Sequence, residues 1–302
     1  MNGLEQLFKQ LNNLLLGKSD AVKLAVACIL ARGHLLLEDI PGVGKTTLAH
    51  GLAACLGLDY RRVQFTNDML PADLLGVSIF RPNEGKFMFQ PGPVFHRFLL
   101  ADEINRASPK VQSALLEAME EQQVSIDNKT YALPQPFMVI ATQNPAEQIG
   151  TFPLPESQLD RFLMRVSIGY PVEKAEKYLY QHGSRRNIIK NIQASFNADS
   201  LISLQQKVAM ISLSDAVADY IYRLVNATRV EGIFTQGLSP RAGLALVQAA
   251  KAWAVIEGRD VVLPEDVKAV FIAVTSHRLK TLQQGNNSNN ALQELLHRVV
   301  VA

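Results

Sequence analysis

Residues 34–47, HLLLEDIPGVGKTT, constrain what this chain can fold into more than any other stretch. A short, continuous apolar run reads as a strand buried on both faces, the kind found in parallel sheets. Here it runs straight into a glycine turn and then into the helical pattern of residues 45–56. Such a strand, turn and helix point successive backbone N–H groups and the positive end of a helix at an anion. Gly42 and Gly44 stand where the backbone must approach a ligand closely, and Pro41 stiffens the entry. Lys45 is spaced to reach β- and γ-phosphates, and the Thr46 hydroxyl to bind Mg²⁺. Val43 and Thr47 complete the predicted contact set. The pattern G-x-x-x-x-G-K-[ST] is nevertheless incomplete, because Asp39 occupies the opening glycine. Position 39 ends the strand, ahead of the cradle, so its side chain need not face phosphate. Asp39 therefore weakens the match to the pattern without removing any of the parts that would touch a phosphate ligand.

The first half of the chain alternates strand and helix patterns. Strands are predicted at 34–39, 60–66, 98–103, 137–144 and 164–170. Helices are predicted at 21–32, with Ser19 and Asp20 as N-cap and Gly33 as terminator, at 45–56, and after Ser108-Pro109. In that last segment Val111, Ala114, Leu115, Ala118 and Met119 fall on one face. Alternation of this kind predicts an α/β fold, a parallel sheet between helices. Beyond Tyr170-Pro171 only helical periodicity remains. Two domains are therefore expected, an α/β core over 1–171 and an all-α domain over 172–302. Hairpin-like insertions at 78–92 and 124–133 interrupt the core, and a polar loop at 283–290 precedes a short final helix.

Charge excludes little but favours little. Lys plus Arg number 30 against 28 for Asp plus Glu, so the net charge of +2 gives no support for a nucleic-acid or membrane partner. Lys23 and Arg32 interrupt the longest apolar stretch, so no membrane span is predicted, and no leader pattern opens the chain. Cys28 and Cys55 fall in apolar helical patterns and read as small buried hydrophobes of a reducing compartment. The expected location is the cytoplasm. Six histidines are scattered without metal-ligand spacing.

Asp102-Glu103 closes the apolar run FLLADE. Ligands of a doubly wound sheet gather beyond the carboxyl ends of the strands, where residues 39–46, Asp102-Glu103 and Asn144 would meet. Asp102 can hold the water shell of a metal, and Glu103 can polarise an attacking water.

The segments IPGVGKTTLA, FLLADEINRASPKVQSALLEAMEEQQVSIDNKTYALPQPFMVIATQNP, LPESQLDRFLMRV and LSPRA, in this order, resemble a MoxR-type AAA+ ATPase. That resemblance implies a nucleotide domain followed by a helical lid, active as a ring, a hexamer. It implies that Asn144 positions water beside the γ-phosphate. Arg161 matches the finger delivered to a neighbour's site, with Arg106 and Arg165 as rivals, and Arg241 matches the lid arginine that meets the γ-phosphate. Gly17 and Lys18 match the adenine pocket. The two insertions resemble the family's helix-2 insert and pre-sensor hairpin. Implied partners are a client protein or metalloenzyme and a protein with a von Willebrand factor A-like domain. A nucleic-acid motor is the rival class. Near the insertion tips it would have only Arg81, Lys86 and Lys129 for phosphates.

Overall fold

The computed structural model describes residues 2–145, 150–183, 185–230, 232–282 and 288–300. Its frame is a five-stranded parallel sheet of β1 (Leu35–Glu38), β2 (Tyr60–Gln64), β5 (Phe98–Asp102), β8 (Met138–Gln143) and β9 (Met164–Val166), in the order β2-β5-β8-β1-β9. Strand β1 pairs along both edges, Leu35 opposite Ile140 and opposite Met164, so it lies inside the sheet, where both its faces pack into apolar clusters. Period-two alternation then sorts the side chains: Leu35 and Leu37 join one apolar cluster, and Leu36 joins the other.

On one face lie α1 (Asn2–Leu14), α2 (Ser19–Leu30) and α3 (Lys45–Leu56). Helix α1 was not anticipated, although Leu4, Leu7, Leu11 and Leu14 have helical spacing; Leu7 and Leu11 are fully buried. Two boundary expectations also need correction. Lys18, not Ser19, stands at the N-cap of α2 and makes no side-chain cap bond. The helix ends at Leu30, and Arg32 (φ 56°) turns the chain before Gly33. Glycine is required at 33 because a Cβ there would lie 2.4 Å from the Leu163 Cβ. The opposite face is covered by α4 (Pro71–Leu75) and α5 (Pro109–Glu121). Ser108 does occupy the N-cap of α5, but without a side-chain cap bond.

Both insertions are antiparallel hairpins, β3 (Gly76–Arg81) with β4 (Lys86–Pro91), and β6 (Gln123–Ile126) with β7 (Lys129–Ala132). Asp127 and Asn128 have φ of 50° and 60°, the left-handed pair that a two-residue hairpin turn needs. Phe89 of β4 stacks on Tyr131 of β7 with ring centroids 4.2 Å apart, joining the two hairpins.

After β9 come α6's successors: α6 itself (Glu156–Leu159) precedes that strand, and α7 (Glu173–His182), α8 (Ala198–Ala209), α9 (Asp215–Val230), α10 (Pro240–Ile256), α11 (Pro264–Thr275) and α12 (Ser288–Arg298) follow it. Ser239 caps α10 by accepting from the Ala242 amide at 3.2 Å. The helices are not an independent body. Helix α2 packs against α8 and α10, and one apolar cluster runs from the sheet into the lid helices. Residues 283–287 of the expected polar loop lie outside the described residues. Among the described residues no helix is long and apolar enough to cross a membrane.

Candidate active site

The glycine turn lies between β1 and α3, with Gly42 at φ 86° and Gly44 at φ 106°. A Cβ at 42 would meet nothing within 4 Å, so what glycine supplies there is backbone conformation and an open face. Two cavities meet at this turn. One, about 150 Å³, is walled by Pro41, Gly42, Gly44, Lys45, Thr46, Asp102, Glu103, Thr142 and Asn144. The other, about 460 Å³, is more apolar, and Leu14, Leu15, Lys18, Val43, Thr47 and Pro171 are among its walls. Gly42 and Gly44 line both, which suits a ligand with a charged end and an apolar end. Gly17 (φ 69°) is not itself a wall residue; it turns the chain between Leu16 and Lys18, which are.

Asp39 is turned away from the cradle. Its carboxylate accepts hydrogen bonds from the Ile40 amide (2.9 Å), the Ser167 hydroxyl (2.8 Å) and the Gly169 amide (2.5 Å). Burial by itself would raise this carboxyl, but those donors outweigh it and hold it below its ordinary 3.8. The missing glycine thus carries a structural carboxylate that ties the loop to the segment after β9. Lys45 Nζ reaches back to the carbonyl oxygens of Asp39, Ile40 and Gln143, along the rim of the cradle.

Across the cavity, the ends of β5 and β8 meet. Asp102 Oδ2 pairs with Arg62 (2.7 Å), and its Oδ1 accepts from the Thr142 hydroxyl (2.5 Å). That same hydroxyl accepts from the Glu103 amide at 2.9 Å. Glu103 has φ 57°, a conformation uncommon outside glycine, and its Oε2 lies 2.7 Å from Gln64 Nε2 and 2.8 Å from Arg106 Nε. Arg62, Gln64 and Thr142 were not singled out from the sequence. Positions 62 and 64 share a face of β2, and the register setting Gln64 opposite Asp102 exists only once the sheet forms.

Arg161 and Arg241 do not line either cavity. Both lie in a third cleft of about 330 Å³, with Arg32, Glu120, Asp160 and Arg278 among its walls. Arg161 Nε is 3.0 Å and Arg241 Nη1 3.1 Å from the two carboxylate oxygens of Glu120. Of the rival fingers, Arg165 pairs with Glu38 (3.2 Å) beside the sheet, and Arg106 stays with Glu103.

A family model described as the ATPase family associated with various cellular activities (AAA) matches residues 34–164, and an AAA lid domain model matches residues 226–298. The chain is 43% identical to the YeaC protein of Bacillus subtilis, over 90% of this chain and 85% of that one. It is 41% identical to the chaperone MoxR1 of Mycobacterium tuberculosis, over 91% of this chain and 75% of the relative. A crystal structure from Cytophaga hutchinsonii, described as that of a candidate ATPase, superposes with a TM-score of 0.91 at 36% identity, covering 100% of this chain and 95% of that one.

Proposed function

The chain belongs to the MoxR family of AAA+ ATPases, and we propose that it hydrolyses Mg²⁺-bound ATP in a homo-oligomeric ring, a hexamer, to remodel client proteins. One observation carries the reading: the parts that would hold and hydrolyse a triphosphate are divided between two surfaces. The small cavity has the cradle, both carboxylates and Asn144, but Lys45 is the only basic residue in its described walls. Arg161 and Arg241 stand together in a separate cleft. A loose phosphoryl-transfer transition state spreads charge over the γ-phosphoryl oxygens and needs cationic groups there. We read both arginines as serving the site of an adjacent subunit.

In this reading the amides of 42–46 and Lys45 hold the phosphates, and Val43, Thr47, Lys18 and the Gly17 turn enclose the base. Among the described residues no group of three His, Cys, Asp or Glu side chains could cage a metal. Thr46 and Asp102 fit Mg²⁺ as a partial shell completed by phosphate oxygens and water, the usual arrangement for this ion. Glu103 takes the proton of the attacking water and Asn144 orients it. The hairpins are the surfaces that meet a client, with a von Willebrand factor A-like partner as the family resemblance implies and a reducing, cytoplasmic setting as the two free buried cysteines suit. A nucleic-acid motor is less well supported, since Arg81 and Lys86 both pair with Glu84 while Phe80 and Phe87 stand exposed.

The test is complementation. Glu103→Gln should bind ATP and turn over at least ~10²-fold more slowly, the size of a general-base effect. Arg161→Ala and Lys45→Ala, each inactive alone, should regain turnover when mixed, because a Lys45→Ala subunit can lend its intact Arg161. No recovery in assemblies shown to contain both subunits would remove Arg161 from the neighbour's site.

A further inference from the structure

The pairing of two arginines on one carboxylate points beyond that scheme. We infer that Glu120 is a positioning residue that holds Arg161 and Arg241 as a pair in the free subunit and is displaced from them by a neighbour's terminal phosphate. This rests on the reading that both arginines act across a subunit boundary.

The cleft has a fixed side and an exchangeable side. On the fixed side, Arg278, its side chain 6% exposed, spends most of its guanidinium on the segment that carries Arg161. Its Nε meets Asp160 Oδ1 at 2.6 Å, and its terminal nitrogens donate to the carbonyl oxygens of Asp160 (3.2 Å), Phe162 (2.8 Å) and Leu163 (3.2 Å). His277 adds a ring contact to the Phe162 carbonyl at 3.0 Å. The backbone around Arg161 is therefore anchored from the lid.

The exchangeable side is Glu120, the penultimate residue of α5. It gives one oxygen to each guanidinium, and all three side chains are partly exposed, Glu120 at 34%, Arg161 at 28% and Arg241 at 56%. Asp160 cannot substitute fully: its second oxygen is 3.8 Å from Arg241, while the first is committed to Arg278. Carboxylate and phosphate are bound by the same guanidinium forks. Glu120 thus occupies the anion position between two arginines that would otherwise repel each other. Half-exposed ion pairs are worth little, so a phosphoryl group of higher charge can take their place. After exchange, the carboxylate is left beside an anion, which opposes assembly. Leu244, one turn beyond Arg241 and 66% exposed, borders the same cleft and would be covered by an adjacent subunit.

The experiment measures ATPase turnover per subunit against protein concentration for wild type, Glu120→Gln and, as a charge control on the same helix, Glu121→Gln. Glu120→Gln should lower the protein concentration of half-maximal turnover roughly fivefold, the combined size of two exposed ion pairs. Its affinity for a fluorescent ATP analogue under non-assembling dilution should match wild type, and Glu121→Gln should not shift the curve. If Glu120→Gln folds poorly by thermal melting, Glu120→Ser should give the same shift, because competition rather than hydrogen bonding sets it. An unshifted or higher half-maximal concentration for a folded Glu120 variant overturns the inference, as does a lower maximal turnover with no shift. Wild-type turnover independent of protein concentration would overturn the neighbour reading as well, which separates the two failures.

Discussion

Replacing Asp39 by the glycine of the common loop pattern should weaken this protein rather than improve its ATP binding. The residue is 8% exposed, and its carboxylate accepts from two amides and a hydroxyl. In Asp39→Gly those donors lose their acceptor; Ser167 is exposed and Ile40 and Gly169 are partly buried, so each lost bond costs about 0.5–1.5 kcal/mol rather than a full buried-group penalty. A glycine at this position adds roughly 0.5–1 kcal/mol of backbone entropy. Water entering the vacated space and relief of the carboxylate's own burial offset part of this, so the expected loss is about 3 kcal/mol. Asp39→Asn, which keeps the shape and removes the charge, should lose about half as much. Because folding lowers the Asp39 pKa, its contribution is fully present above the ordinary value of 3.8 and disappears as pH falls below it. Urea midpoints at pH 7 should therefore separate wild type from both variants, and the gap should narrow as pH falls below 3.8. ATP affinity should change by less than about tenfold, or ~1.4 kcal/mol. Asp39→Gly as stable as wild type, a gap independent of pH, or a gain in affinity above tenfold would each refute the argument.

Two further outcomes follow from buried and stacked side chains. His34 is buried, accepts the Val139 amide on Nδ1 (3.0 Å) and places Nε2 3.3 Å from the Met119 carbonyl; burial lowers its pKa from 6.5 to about 4. The unfolded chain then takes up a proton first, so stability is full above pH 6.5 and falls by about 3 kcal/mol as pH drops to 4. His34→Leu should flatten that slope, and denaturant titrations at pH 7.5 and 5.0 with an unchanged slope would exclude His34 as its source. Shortening 125–131 to a glycine turn removes Tyr131 from its stack on Phe89 and should leave basal ATPase within about threefold, under ~1 kcal/mol, while abolishing stimulation by a client or partner. Phe89→Ala should reproduce that loss with the second hairpin intact, and full stimulation in either variant would place the coupling elsewhere.

What the sequence determined by itself is what short-range chemistry decides. Three leucines in a row before Gly42 and Gly44 can be little else than a buried strand entering a phosphate turn. Asp127-Asn128 marks its hairpin because few other dipeptides tolerate two left-handed residues. The change from period two to period 3.6 near Pro171 announces the helical half without any knowledge of packing. Polar groups ending apolar strands likewise placed Asp102, Glu103 and Asn144 on one side of the sheet. Tertiary structure decided whatever depends on partners far apart in the chain. Nothing near Asp39 in sequence names its partners; Ser167 and Gly169 come within hydrogen-bond distance of it only in the fold. Gln64 and Thr142 became part of the site only when the order β2-β5-β8 set them beside Glu103 and Asp102. The arginine pair was legible only one member at a time, because nothing local to Arg161 or Arg241 reveals that Glu120 lies between them. A single peptide segment carries its own backbone preferences and apolar rhythm. It does not carry the identity of the carboxylate that folding will bring against it.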